Sequence, residues 1–419
     1  MVKIAITTQG CSHNYSDSEH MAGLLANAGH ELVAEQDAEV VLFNTCTVKT
    51  PTENAFLRKL NKIKKNDKKI ILGGCIPQAE PMRFKDYSLI GTRQLDRIVD
   101  VVEQTVQGNV VHLLKRNGLP VLSAPKVRRN PFIETIPISL GCLSTCAFCK
   151  TKHARGTLES YPAEDVVDSV RRATSEGVKE IWLTSQDTGC YGFDKSTNAA
   201  QLLKEICKIE KKFMVRFGMG NPDHFISLKD ELINAYKDEK VFQFLHIPVQ
   251  SGSNSILKAM KRDYTIEQFK EVVAAFRSAF PSITIATDII CGFPGESDEQ
   301  FMETIHLLEE VKPDVMNISR FWARSGTAAA TMGDQLHGSK IKERSRILTE
   351  VSETISLEQN KKWIGWEGPV SVDDVGKNGF MVGRNFAYKQ VLLRNVRKGE
   401  TVRVRIVDAG VYDLRGELL

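Results

Sequence analysis

The sequence predicts an α/β protein in three parts. They are an N-terminal doubly wound parallel sheet over residues 1–118, a central partial barrel of six β-α units over 135–356, and a small all-β barrel over 357–419, with a linker at 119–134. Three observations carry this reading. Strand-like and helix-like runs alternate through the first two parts, the signature of parallel sheets. After Gly365 the pattern changes to short alternating runs separated by Gly, Asn or Asp, as in small closed barrels. Between the first two parts, Pro120, Pro125 and Pro131 interleave with Lys126, Arg128 and Arg129, a composition that favours extended chain.

Bulk properties are those of an ordinary soluble globular protein: 419 residues, 42% hydrophobic, 26% charged, net charge +4. This length supports two or three cores. The weak positive charge permits a nucleic-acid partner without requiring one. No apolar run approaches the ~18 residues of a membrane span. The start, Met1–Thr8, reads as a strand and not as a signal peptide. Nine scattered cysteines without a secretion signal fit a reducing compartment, where cysteines serve metals.

Lys3–Thr8, Glu39–Thr45 and Lys69–Gly74 read as the first strands. A helix follows the first of them, with Asp17 as its N-cap and Gly29 as its C-cap. Cys11, Cys46 and Cys75 each fall just past a strand, 35 and 29 residues apart, about one β-α unit each. Ligands of such sheets bind beyond the carboxyl ends of the strands, so these three converge on one edge. Either they hold an iron–sulfur cluster with one open iron, or they are three unrelated core cysteines.

In the central part the strands are Thr135–Leu140, Glu180–Ser185, Phe213–Met219, Phe242–Val249, Ile283–Ile290 and Val315–Phe321, with helices such as Ala163–Ala173 and Ile266–Ala279 between them. Directly after the first strand comes Cys142-Leu143-Ser144-Thr145-Cys146-Ala147-Phe148-Cys149. Three thiols this close in one loop point to a metal or iron–sulfur site rather than to disulfides. A small zinc loop is the alternative, although zinc wants a fourth protein ligand. Polar and glycine-rich turns, Ser185-Gln186-Asp187, Gln250-Ser251-Gly252 and Cys291–Glu296, follow later strands, where barrels carry their reacting groups. Cys207 and Cys291 read as core. Cys190 is expected to face away from the site.

Gly338–Lys362 reads as a long connecting helix. Residues 357–419 hold eleven Lys and Arg against eight Asp and Glu, so most of the chain's small excess charge lies there. Arg384, Phe386, Tyr388, Lys389, Arg394, Arg397 and Lys398 mix basic and aromatic side chains. Such barrels bind looped RNA by stacking and phosphate contacts. A solvated packing module is the alternative.

The CxxxCxxC loop, with Phe148 before its last cysteine, resembles the radical S-adenosylmethionine (SAM) superfamily. Together with Gly10-Cys11-Ser12-His13-Asn14, Asn44-Thr45-Cys46-Thr47-Val48, Gly73-Gly74-Cys75 and the terminal barrel, it resembles the methylthiotransferases among them. Within that family, Cys149–Gly156, Asn221-Pro222 and Ala286–Glu296 resemble the archaeal and eukaryotic branch that acts on N6-threonylcarbamoyladenosine at tRNA position 37. The terminal barrel is similar to a TRAM domain, and the central part to a radical SAM barrel. The resemblance implies two [4Fe-4S] clusters, one on Cys142, Cys146 and Cys149 and one on Cys11, Cys46 and Cys75. It implies SAM held by Phe148, Ser185, Gln186, Asp187, Gln250, Gly292, Pro294, Gly295, Glu296, Arg155 and Arg324. One SAM would give its methyl to sulfur at the N-terminal cluster, and a second would be cleaved to the radical that activates C2 of the adenine. The partners implied are the tRNA anticodon arm and a one-electron reductant of ferredoxin or flavodoxin type. Eukaryotic members often carry a C-terminal membrane anchor. No anchor precedes Leu419, so a soluble, cytoplasmic, archaeal-type enzyme is expected. Gln186-Asp187-Thr188 is shared instead with the branch that modifies a ribosomal protein. A non-enzymatic RNA-binding iron–sulfur protein is the rival from another class, and it would have no use for SAM.

Overall fold

In the computed structural model, which describes residues 1–48 and 50–419, the first six strands form one parallel sheet. In chain order they are Lys3–Thr8, Glu31–Leu32, Val40–Thr45, Lys69–Gly74, Ser88–Ile90 and His112–Leu113, and their spatial order is 2-1-3-4-5-6. Val40–Thr45 is buried on both faces. Val40 and Leu42 pack with Met21 and Leu25 on one side, and Val41 and Phe43 with Phe56 and Leu60 on the other. That is the doubly wound arrangement, and its order reverses between the strands ending at Thr8 and Thr45. Ligands of such sheets bind at that crevice.

The helix after the first strand runs Ser12–Asn27, so its cap lies six residues before the expected Asp17. Cys11 is its extended N-cap residue, and Asp17 lies in the second turn, buried. The reason is tertiary. This helix is covered on both sides, so His13, Asn14, Ser16, Asp17 and Ser18 are buried along with Met21 and Leu25. Gly29 does follow the helix in the left-handed conformation, at φ +83°, a C-terminal role that glycine fills readily.

The segment 119–134 crosses this helix at Gly23, where a Cβ would lie 2.1 Å from Pro125 O. Lys126 and Arg128 hold the buried Glu134 carboxylate below its ordinary range, although burial opposes them. Six parallel strands then form an open barrel. Ile133–Pro137, Glu180–Thr184 and Met214–Arg216 make one half, and Phe244–His246, Thr284–Cys291 and Val315–Arg320 the other. A Val215–Val241 bridge joins the halves. Among the described residues the two edge strands do not pair with each other, so the barrel stays open along one side. The third and fourth strands are shorter than the sequence suggests. Beyond Arg216 the backbone meets Leu183 O so closely that a Cβ at Gly218 would lie 2.6 Å from it.

The helix Gly338–Lys361 buries Leu348 and Ile355 in the barrel's outer core and leads into the terminal unit. Five strands there, Glu367–Val375, Met381–Arg384, Gln390–Leu393, Thr401–Ala409 and Leu414–Leu418, close into a barrel around Val370, Val391 and Val404.

Candidate active site

Cys11, Cys46 and Cys75 sit at the crevice of the parallel sheet. Cys11 and Cys75 Sγ each lie 3.9 Å from Asn14 Oδ1. Asn14 is itself fixed, donating to Gln9 O at 2.9 Å and to Thr45 O at 2.8 Å. Asn44 Nδ2 donates back to Asn14 O at 2.7 Å. Gly10 has φ +113°, and a Cβ there would lie 2.8 Å from Cys46 Sγ. The backbone therefore passes the sulfur as only glycine allows. Burial first, and then the neighbouring Cys75 and Cys11, push the Cys46 thiol up to about 12. Burial raises Cys75 as well. Thiols so disfavoured as free thiolates suit a site in which a metal supplies the missing positive charge.

The second cysteine group follows the first barrel strand, at the barrel mouth. Arg262 Nη1 lies 3.2 Å from Cys146 Sγ. Its Nη2 donates to Asn221 Oδ1 at 2.7 Å. Asn221 Nδ2 donates to Asp187 Oδ2 at 2.7 Å and to Ser144 Oγ at 3.0 Å. Asp187 is fully buried and also takes His224 Nδ1 at 2.7 Å. That carboxylate raises the His224 imidazole above its usual value, although burial opposes it. Cys142, Asp187 and Cys190 present ligand atoms within 4.8 Å of one another. Cys190, expected to face away, therefore sits at the site, because the turn Thr188–Cys190 folds back beneath Asp187. A hydrogen bond from Cys190 lowers the Cys142 thiol to about 7.

The two groups are joined by buried side chains. Arg155 ends the short helix Thr151–Arg155 behind the cysteine loop. Its Nη2 reaches Asp17 Oδ2 at 2.6 Å and Asn14 Oδ1 at 2.9 Å. Gln186 accepts from Gly141 N at 2.7 Å, and its amide nitrogen lies 3.2 Å from His13 Nδ1. Burial, and next Arg155, hold His13 well below its usual value, so it is neutral. Arg324 donates to Thr47 O and to Glu53 Oε2, the latter at 2.8 Å. The sequence reading assigned Arg155 and Arg324 to SAM. Each does pair with a carboxylate, but it is the protein's own, and it lies across the interface with residues 1–118.

Comparison with known proteins decides what this arrangement belongs to. The family model described as "Radical SAM superfamily" matches residues 136–308, "Uncharacterized protein family UPF0004" matches 3–90, and "TRAM domain" matches 361–419. The chain is 43% identical over its whole length, and over the whole of the relative, to a probable threonylcarbamoyladenosine tRNA methylthiotransferase of Pyrococcus horikoshii. It is 44% identical to the Homo sapiens threonylcarbamoyladenosine tRNA methylthiotransferase, covering 99% of this chain and 74% of that one. The chain belongs to the threonylcarbamoyladenosine tRNA methylthiotransferase family. The fold agrees with a solved radical SAM methyltransferase from Kitasatospora setae, at TM-score 0.56 and 14% identity, covering 76% of this chain and 73% of that one. Membership makes the chain an enzyme with SAM and a [4Fe-4S] cluster as cofactors. None of its described helices is long and apolar enough to cross a membrane.

In this methylthiotransferase the other expected cofactor contacts divide in two. Gln250, at φ +68°, turns its backbone to accept from Ile290 N at 2.9 Å, and its side chain makes no hydrogen bond among the described residues. Phe148 packs beside Phe293 and Phe321, and Ser185 Oγ accepts from Asp187 N at 2.9 Å. Gly292 and Gly295 both have positive φ, at +77°, flanking Phe293 and Pro294. Glu296 differs from expectation. It accepts from Gly292 N at 2.8 Å and pairs with Arg344 at 2.6 Å, both side chains buried. It holds the turn rather than presenting a carboxylate to a ligand.

The terminal barrel also departs from expectation. Lys389 is buried, with Nζ 2.7 Å from Asp314 and 2.9 Å from Asn360. Tyr388 packs on Phe242, Phe244 and Trp182, with Arg384 over its ring. Phe386 lies against Trp363 and Trp366. Lys389 and Tyr388, with Arg384 over the Tyr388 ring, close the junction with the central barrel, while Phe386 belongs to the terminal unit's own core. Arg394 and Arg397 remain exposed, with Lys398 half-buried beside them. Arg262 and His224 escaped the sequence reading, because Lys261-Arg262-Asp263 looks like any solvated charge run.

Proposed function

We propose that this enzyme adds a methylthio group to C2 of N6-threonylcarbamoyladenosine at position 37 of cytoplasmic tRNA. The observation that carries the reading is the buried Arg155 bridge. It ties the Cys11/Cys46/Cys75 crevice to the Cys142/Cys146/Cys149 loop at the mouth of one open barrel. Two cysteine sets joined through buried side chains suit a reaction that needs both a radical source and a sulfur source.

Cys142, Cys146 and Cys149 would hold a [4Fe-4S] cluster that supplies the electron for SAM cleavage, and Cys11, Cys46 and Cys75 would hold a second that supplies sulfur chemistry. The chain's own groups prepare those sites. Arg262 donates to the Cys146 sulfur, and Asn221 and Asp187 fix the loop around Ser144. Asn14 orients Cys11 and Cys75. The Gln250 side chain and the carbonyls of Gly292, Pro294 and Gly295 are offered to SAM at the strand ends, since the N–H groups of Gly292 and Gly295 are taken within the protein. In this reading residues 1–118 carry the second cluster, 119–134 link, 135–356 bind SAM, and 357–419 bind RNA. Arg394, Arg397 and Lys398 grip the anticodon arm, and the electron comes from a ferredoxin or flavodoxin type reductant. The Gln186-Asp187-Thr188 string does not favour a ribosomal-protein substrate, since Asp187 and Thr188 are fully buried within the loop.

The test is anaerobic. The protein is reconstituted with iron and sulfide, then given SAM, dithionite and tRNA carrying threonylcarbamoyladenosine. Digested tRNA should contain the methylthio nucleoside by mass spectrometry. 5′-Deoxyadenosine without that nucleoside would keep the radical chemistry and reject the substrate. Absence of both would reject the enzyme reading.

A further inference from the structure

We infer that Arg216, inside the open barrel, binds the carboxylate of the threonylcarbamoyl arm and so selects the modified adenosine. This rests on the proposed function and names the residue that would read its substrate.

Side chains alternate along the barrel strands. Ile181, Val215, Leu245 and Ile285 point outward into the core. Trp182 and Arg216, direct neighbours in register, and His246 point inward and are only half-buried. The interior is thus open to solvent, unlike a closed barrel filled by its side chains.

The inward polar groups are mostly engaged. His246 and Asn317 hold Asp288, at 3.1 and 2.8 Å. Glu180 takes the Trp182 indole at 3.1 Å. Arg216 has no carboxylate partner and no hydrogen bond among the described residues, and its Nε is buried without a partner. Three rings surround it instead. Its guanidinium carbon lies 5.7 Å from the Trp182 centroid, 5.1 Å from Phe244 and 5.4 Å from Tyr388.

Aromatic contacts hold a guanidinium by its faces and leave its edge donors free. A planar fork with free donors fits a carboxylate in bidentate fashion. Arg216 ends its strand four residues before Gly220, and four residues of chain reach at most about 14 Å toward the loop that carries Asn221. A nucleobase with a side arm spans that depth. Adenosine itself has no carboxylate, and the threonylcarbamoyl arm brings one. An RNA phosphate offers similar chemistry and is separated by the test.

Three anticodon stem-loop RNAs distinguish these sources: one with adenosine at position 37, one with threonylcarbamoyladenosine, and one whose threonine carboxylate is replaced by the carboxamide. Binding to the reconstituted protein is read by fluorescence anisotropy, for the wild type, Arg216→Gln and Arg216→Lys. Iron content and thermal unfolding report whether each variant folds. The wild type should prefer the carboxylate RNA over the carboxamide by at least about tenfold, the scale of a lost charge-assisted contact. Arg216→Gln should abolish that preference, and Arg216→Lys should restore part of it. Folded Arg216→Gln protein that still discriminates would overturn the proposal. So would equal weakening toward all three RNAs, which marks a phosphate contact, or a wild type without preference. Failure of the wild type to make the methylthio nucleoside would reject the proposed reaction, and the binding comparison would still judge Arg216.

Discussion

Arg155 Nη2 lies 2.6 Å from Asp17 Oδ2, both side chains almost wholly buried, across the junction between the parallel sheet and the open barrel. Burial pushes the Asp17 carboxyl up and Arg155 pulls it down. The pair is part of the mounting of both cysteine groups, because Arg155 also holds Asn14.

Asp17→Asn leaves Arg155 buried without its counter-charge. Removing one partner of a buried pair costs about 3–5 kcal/mol. Urea unfolding of the cluster-free variant should show that loss. Unchanged stability would mean that the pair contributes nothing to docking the two parts.

Glu80 ties the first part to Lys150, beside Cys149, and to Ser325. Burial opposes its ionisation, yet the hydrogen bonds from Lys150, Ser325 and Arg83 bring its carboxyl down to about 2. A depressed carboxyl stabilises the fold fully above its unfolded value of about 4.3, and that stability is lost as pH falls toward 2. The urea midpoint should drop between pH 5 and 3. The Glu80→Gln variant should start lower at pH 5 and fall less steeply. Parallel curves for the two proteins would remove Glu80 from the account.

Gly10→Ala places a methyl 2.5 Å from Cys46 Cβ at a φ of +113°. The crevice must shift, so reconstituted protein should lose close to half its iron while SAM cleavage persists. Iron analysis and 5′-deoxyadenosine formation check both parts.

Arg262→Met removes the N–H donor 3.2 Å from Cys146 Sγ. Hydrogen bonds to cluster sulfurs are one determinant of cluster potential, and losing one from a cationic donor should lower it. An EPR-monitored redox titration of the reconstituted protein should give a more negative midpoint. An unchanged midpoint would assign Arg262 to loop structure alone.

In the terminal barrel, Arg394→Ala, Arg397→Ala and Lys398→Ala should weaken tRNA binding, each reducing the salt dependence by about one unit of slope. None should shift the unfolding midpoint appreciably. Tyr388→Ala should do the reverse, costing about 3 kcal/mol of stability, since its ring packs on Phe242 and Phe244.

By itself, the sequence determined the alternation of strands and helices, the places of six cysteines just past strands, and the change of pattern after Gly365. Hydrophobic periodicity and thiol spacing are local properties, and Cys11, Cys46 and Cys75 needed only their places after successive strands to be brought together. Only the tertiary structure decided which polar side chains face ligand and which face protein. Arg155 and Arg324 became bridges between parts, Glu296 became the brace of a turn, and Arg384, Tyr388 and Lys389 became a closed junction. Cys190 and Arg262 moved to the cysteine loop. Charge and ring chemistry look alike in sequence whether they end against water, a substrate or another part of the chain. The difference lies in burial and in partners more than a hundred residues away, such as Cys146 for Arg262 and Asp17 for Arg155, which no local pattern encodes.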